Sequence, residues 1–182
     1  MEPLEKGKIY TAVIDGYSSE GLGIARVNGA VVFVPHAVRG EEVDLRITRV
    51  MKTSCAGEIV KIHTPSPDRM EPECPYAGKC GGCAYRHLTY PEELRAKRQR
   101  VQDALTRIGG LDLQVEEILG ARNPEHYRNK SQYPVGADGS IGFFQARTHK
   151  VVPIRRSKGR DNKTLGRWAD QLRQLLDKWE ES

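Results

Sequence analysis

Apolar and polar residues alternate with period two through the first third of the chain, interrupted at short intervals by Gly, Asn and Pro. That alternation predicts five strands: Lys8–Tyr17, Leu22–Val27, Ala30–Pro35, Glu42–Val50 and Cys55–His63. Asn28-Gly29 falls between two of them and predicts a type I′ hairpin, since both central residues of that turn need positive φ. Gly21 and Arg39-Gly40-Glu41 mark further turns. Short strands this close together, with no helical stretch between them, predict an all-β small closed barrel of the OB-like kind over residues 1–63. Such barrels often bind oligonucleotides on one face, although a barrel alone does not fix a function.

The period then changes. Residues 64–90 hold a Pro-rich linker, with Pro65, Pro67 and Pro72, and a cysteine segment. Thr89-Tyr-Pro-Glu92 reads as a capping box opening a helix that runs to Ile108, where Gly109-Gly110 stops it. Its expected apolar stripe is Leu94, Val101, Ala104, Leu105 and Ile108. Strand-like pieces follow at Leu113–Leu119, Asn129–Val135, Ile141–Gln145 and Lys150–Ile154, with Asp138-Gly139 as a second hairpin turn. Helix and strands together predict a small α/β (α+β) domain over residues 91–154, packed on the cysteine site. Residues 155–182 form a basic stretch and an amphipathic helix, Thr164–Glu180, with Leu165, Trp168, Leu172, Leu175, Leu176 and Trp179 on one stripe.

Three of the four cysteines, Cys74, Cys80 and Cys83, have the spacing C-x5-C-x2-C. Gly78, Gly81 and Gly82 let the backbone between them turn tightly. A sulfur-only donor set selects an iron–sulfur cluster or zinc, both of which ordinarily take four ligands. Cys55 lies in a strand-like run and reads as a core residue, not as the fourth donor. The charged start Met1-Glu-Pro-Leu-Glu-Lys lacks the apolar stretch of a signal peptide. No run approaches the roughly 18 apolar residues of a membrane span. The expectation is a cytoplasmic chain that makes no use of a membrane, in a compartment where clustered thiols hold metal more often than they pair.

The net charge of +5 is unevenly spread over the 182 residues. From Arg147 to Arg167 the chain carries eight Lys or Arg against the single acid Asp161. A second basic group, Arg95, Lys97, Arg98 and Arg100, lies on the predicted helix. Both patches suit a polyanion, with nucleic acid as the first candidate.

Several motifs in one order carry a resemblance. Gly21-Leu-Gly-Ile-Ala-Arg, Gly29-Ala-Val-Val-Phe-Val-Pro and Arg39-Gly-Glu resemble the TRAM signature. The run from Ser66 to Pro75, then Cys80-Gly-Gly-Cys and Lys97-Arg-Gln-Arg-Val, is similar to the cluster region of the RNA uracil-5-methyltransferases. Tyr127-Arg-Asn-Lys-Ser-Gln-Tyr-Pro-Val-Gly and the stretch Gly142–Ile154 are similar to that family's central domain. The likeness runs from about Tyr10 to Ile154 and fades beyond it. It is to the branch that pairs a TRAM barrel with a 4Fe–4S cluster and methylates 23S rRNA.

The resemblance implies the RNA-recognition and cluster-binding part of an S-adenosylmethionine-dependent RNA uridine C5-methyltransferase. In that family a cysteine adds to C6 of the target uracil in a separate cofactor-binding domain. No motif of that domain is found here, so no catalytic or S-adenosylmethionine-binding residue is assigned, and no methyl transfer is expected from this chain alone. The implied cluster ligands are Cys74, Cys80 and Cys83; the position of the family's fourth cysteine is Ser157, a harder and less acidic donor. Expected RNA contacts are Arg128, Lys130, Arg147 and Lys150 to phosphate, with Tyr127, Phe143 or Phe144 stacking on bases, and at most one of the two Phe facing outward. The expected partner is ribosomal RNA, bound by a monomer. The competing expectation is a stand-alone, non-catalytic RNA-binding TRAM protein with a zinc or iron–sulfur knuckle. Radical methylthiotransferases also pair TRAM with a cluster, but space their cysteines C-x3-C-x2-C.

Overall fold

The computed structural model describes residues 3–125 and 132–154, together with positions 171, 174, 175, 177 and 178. Five strands form where the alternation places them: β1 (Ile9–Tyr17), β2 (Gly23–Val27), β3 (Ala30–Val34), β4 (Glu42–Val50) and β5 (Cys55–Thr64). They close into a barrel in the order β1-β2-β3-β5-β4. All its pairings are antiparallel except the short parallel contact of β3 with β5. This is the expected OB-like barrel. Asn28 and Gly29 both take positive φ, 49° and 79°, as a type I′ turn requires.

Period-two alternation sends Ile14, Ala25, Val32, Val34, Val43, Leu45 and Ile47 inward, all at most 1% exposed. Cys55 joins this core at 3% exposure, so its reading as a small hydrophobe is correct. Where strands crowd the core, no side chain fits. A Cβ on Gly23 would stand 2.6 Å from the Ala37 Cβ.

The helix α1 (Tyr90–Asp103) begins at Thr89, whose hydroxyl accepts from the Glu92 N–H at 3.4 Å. It runs into a π-helical turn, Ala104–Ile108, capped at Gly109. The predicted span is correct, and the predicted faces are not. Its buried residues are Glu92, Glu93 and Ala96, whereas Val101 is 50% and Ile108 87% exposed. The reason lies in polar docking. Glu92 accepts from the Tyr17 hydroxyl (3.0 Å) and from Arg39 Nη2 (3.0 Å). The capping box forms by half, because the Thr89 N–H donates to the Asp68 carbonyl instead of to Glu92.

Residues 113–119 do not form the expected strand. They have no regular secondary structure, and Leu113 and Val115 are fastened to the helix by two side chains one turn apart. Arg98 Nε donates to the Val115 carbonyl at 2.8 Å, and the Gln102 amide bonds both Leu113 O and Val115 N. Residues 84–119 accordingly form one compact unit with the barrel and linker, up to Glu71. The second unit comprises Pro72–Cys83 and Gly120–Ser182. This division departs from a central domain over 91–154, since α1 keeps company with the barrel. Within the second unit, β6 (Gly142–Phe144) pairs antiparallel with β7 (Val151–Pro153). The Asp138-Gly139 turn is present, with Gly139 at φ 74° and a single bridge from Val135 to Ile141. The described positions between 171 and 178 are helical, with Leu175 65% exposed.

Candidate nucleic-acid interface

In the barrel unit, the outward side of β1 and β2 meets α1 around a cavity of about 240 Å³. From the barrel, Asp15, Gly16, Tyr17, Ile24, Arg26 and Arg39 line it; from the helical segment, Ala96, Gln99, Asp103 and Arg107. The local cause is a β-bulge between Ile14 and Gly16, which breaks the β1–β2 register and turns Gly16 toward open space. Each guanidinium has a carboxylate beside it: Arg26–Asp15 at 2.8 Å, Arg39–Glu92 at 3.0 Å and Arg107–Asp103 at 3.6 Å. Burial, with the Glu92 carboxylate adding to it, pushes the Tyr17 hydroxyl well above its usual range, so it stays a donor.

A second polar cluster anchors the linker to the barrel. Glu41, fully buried, accepts from Arg69 Nη2 (2.7 Å), the Val38 N–H (2.9 Å) and the Ser66 N–H. Burial pushes its carboxyl up, but these hydrogen bonds, led by Arg69, outweigh it and leave it below the ordinary value. His87 sits beside this cluster with Nε2 3.2 Å from the Ala37 carbonyl. Burial lowers it to about 4.

In the second unit the cysteine loop turns through Cys80 N–H to Tyr76 O (2.9 Å) and bridges Cys80 to Gln145. A Cβ on Gly81 would stand 2.9 Å from the Phe144 carbonyl, which explains the glycine there. The Gly82 N–H points at Cys80 Sγ at 3.3 Å. None of the three cysteines is in a disulfide; Cys74 and Cys80 are half-buried and Cys83 is exposed. Their donor chemistry suits iron–sulfur or zinc. Among the described residues, which do not include Ser157, no three of His, Cys, Asp and Glu are gathered so as to hold a metal ion.

The RNA candidates divide. Arg147 and Lys150 are exposed at the tip of the β6–β7 hairpin, where Arg147 takes φ 60°. Phe143 is half-buried against Tyr133, ring centroids 5.0 Å apart, whereas Phe144 is 42% exposed and meets His149 edge-on. Phe144 is therefore the more exposed ring of the two, and Phe143 packs against Tyr133. Tyr127, Arg128, Lys130 and Ser157 lie outside the described residues. On α1 the expected basic patch is largely taken up internally. Arg95 pairs with Glu92 and Asp68, Lys97 with Glu93, and Arg98 bonds the Val115 carbonyl. What sequence reasoning missed is the β1–β2–α1 cavity. The only signal was Asp15-Gly16 interrupting a strand pattern, a known mark of a bulge.

The TRAM domain family matches residues 3–60, the barrel and its entry. An uncharacterized RNA methyltransferase of Clostridium tetani is 41% identical over 180 residues, covering 97% of this chain. The chain carries a TRAM domain and is similar along most of its length to proteins named RNA methyltransferases. Other similar proteins include uncharacterized RNA methyltransferases of Bacillus cereus, 41% identical over 82% of the chain, and Clostridium acetobutylicum, 36% over 97%. The chain spans only 34–39% of the length of these relatives. The likeness to the two Clostridium proteins covers 97% of the chain and so runs past Ile154, whereas that to the Bacillus cereus protein covers 82%. Among solved structures, the Pyrococcus abyssi tRNA (uracil-54, C5)-methyltransferase shares the fold over 93% of this chain and 37% of its own, with TM-score 0.60 and 22% identity. Among the described residues, no helix is long and apolar enough to cross a membrane.

Proposed function

We propose that the chain is the RNA-recognition part of an S-adenosylmethionine-dependent RNA uridine C5-methyltransferase, with 23S rRNA as its target and methyl transfer carried by a part of the enzyme this chain does not span. The observation that supports this best is the TRAM barrel followed, in the family's order, by a second unit whose hairpin carries Arg147, Lys150 and the exposed Phe144. Cations at a hairpin tip reach phosphate, and an exposed ring beside them offers a face for an unpaired base. The test is binding of labelled 23S rRNA segments and of tRNA to the chain. Tighter binding of the ribosomal segments supports the reading; preference for tRNA moves the target, and no binding to either removes the recognition role.

The reading extends to a 4Fe–4S cluster on Cys74, Cys80 and Cys83, supported by the thiol-only donor set and the Gly82 N–H directed at Cys80 Sγ. Thiolates in such centres accept N–H bonds, and binding would draw the loop together, coupling metal to folding. Anaerobic reconstitution with iron and sulfide should give broad absorbance near about 400 nm, improved by Ser157→Cys. A colourless protein holding one zinc would replace the cluster with a structural knuckle.

A further inference from the structure

We infer that the cavity between the β1–β2 face and α1 receives one unpaired guanine of the bound RNA, read by the Asp103 carboxylate. The inference rests on the RNA-recognition reading and adds to it the identity of one base.

Size and charge choose the ligand class. At about 240 Å³ the cavity falls below the roughly 300–1,000 Å³ of pockets for drug-sized ligands, leaving room for a single base and part of its sugar. With Arg26, Arg39 and Arg107 each beside a carboxylate, no surplus positive charge is left for a bare phosphate. A neutral group rich in hydrogen bonds fits that balance. The apolar lining consists of the buried Ala96 and the half-buried Ile24 and Tyr17, against which a flat ring can lie.

The arrangement at Asp103 narrows the choice to guanine. Gln99 Nε2 donates to Asp103 Oδ1 at 3.0 Å, and Arg107 Nε approaches the same oxygen. The carboxylate is thus oriented through one oxygen, with acceptor capacity left on both. Guanine presents N1–H and the N2 amino group side by side, matching the two oxygens of a carboxylate. Adenine and cytosine place a ring acceptor beside their amino group, and uracil flanks its N3–H with two carbonyls. Each of these sets an acceptor against the second oxygen. Unpaired bases are commonly read on this edge by side chains.

GMP, AMP, CMP and UMP titrated into the isotope-labelled chain at one ionic strength provide the test. GMP should bind at least fivefold more tightly than the others and shift the amides of Gly16, Gln99 and Asp103. Asp103→Asn should erase that preference, a loss of roughly fivefold to hundredfold. A Cβ added at Gly16 meets no atom within 4 Å, so Gly16→Leu should block the cavity without lowering the melting temperature. Equal binding of all four nucleotides overturns the inference. So does GMP binding that survives either variant when that variant melts like the parent. Binding of structured rRNA, measured in parallel, separates the two readings. Retained RNA binding without base preference removes the guanine site alone, while loss of RNA binding with GMP still held removes the recognition reading.

Discussion

Glu92 shows how one residue can be read correctly and still be misjudged. Its place three residues after Thr89 marks the start of a helix, and the helix starts there. Its side chain, 1% exposed, instead receives Tyr17, Arg39 and Arg95, the first two from the barrel and the third from its own helix. No local pattern announces a partner 75 residues away. Glu92→Ala leaves Arg39 and the Tyr17 hydroxyl without their acceptor, and should destabilise the barrel unit by about 1–3 kcal/mol in urea unfolding. A change below about 1 kcal/mol would show that the clamp is replaced by water.

His87 predicts a pH dependence at the same scale. Its folded value near 4 lies below the ordinary 6.5, so between those values the unfolded chain takes up a proton that the folded chain refuses. Stability is therefore full above pH 6.5 and falls as pH drops toward 4, at up to about 1.4 kcal/mol per pH unit. His36, also lowered by burial, adds to the same slope. Glu41, whose carboxyl is held below its ordinary 4.5, loses its contribution only at lower pH. His87→Gln should remove most of the slope between about pH 6.5 and 4.5 in urea midpoints. An unchanged slope would mean that His87 titrates normally.

At the scale of elements, the strands were legible because a half-buried strand writes its two faces into alternate residues, as β4 does from Glu42 to Val50. The same rule misled at 113–119. Leu113 and Val115 alternate like a strand, but their backbone groups are taken by Arg98 and Gln102, and no ladder forms. The apolar stripe on the helix misled for a related reason. Helix periodicity identifies a stripe but not its partner, and Glu92 and Glu93 dock a different face. The β6–β7 pair has its own signature in Gly142, where a Cβ would collide with the Val152 carbonyl. Gly142→Ala should open that pair and speed amide exchange at Gln145 and Ile154, whose N–H groups donate to Lys150 O and Ile141 O, leaving exchange in the barrel unchanged. Equal exchange in variant and parent would show that the hairpin tolerates the side chain.

At the scale of the whole molecule, the barrel was legible because glycines mark the turns between its strands. Arg39-Gly40-Glu41 is such a case: Gly40 has φ 84°, Arg39 reaches Glu92, and Glu41 holds Arg69. The cavity at Gly16 was not legible, because it arises where two elements distant in sequence leave a gap. The basic patches were legible as charge but not as availability, since an intramolecular carboxylate or carbonyl engages each of Arg95, Lys97 and Arg98.

The central claim, recognition of RNA through phosphate contacts from the second unit, is tested most directly by the salt dependence of binding. Fluorescence anisotropy with a labelled 23S rRNA segment should give log K falling linearly with log salt. Arg147→Gln and Lys150→Gln together should reduce the slope by roughly 0.7–0.9 for each phosphate that is no longer neutralised, while Glu116→Gln and Glu117→Gln leave it unchanged or steeper. A slope indifferent to Arg147 and Lys150, or no binding at low salt by a chain that folds normally, would contradict the account.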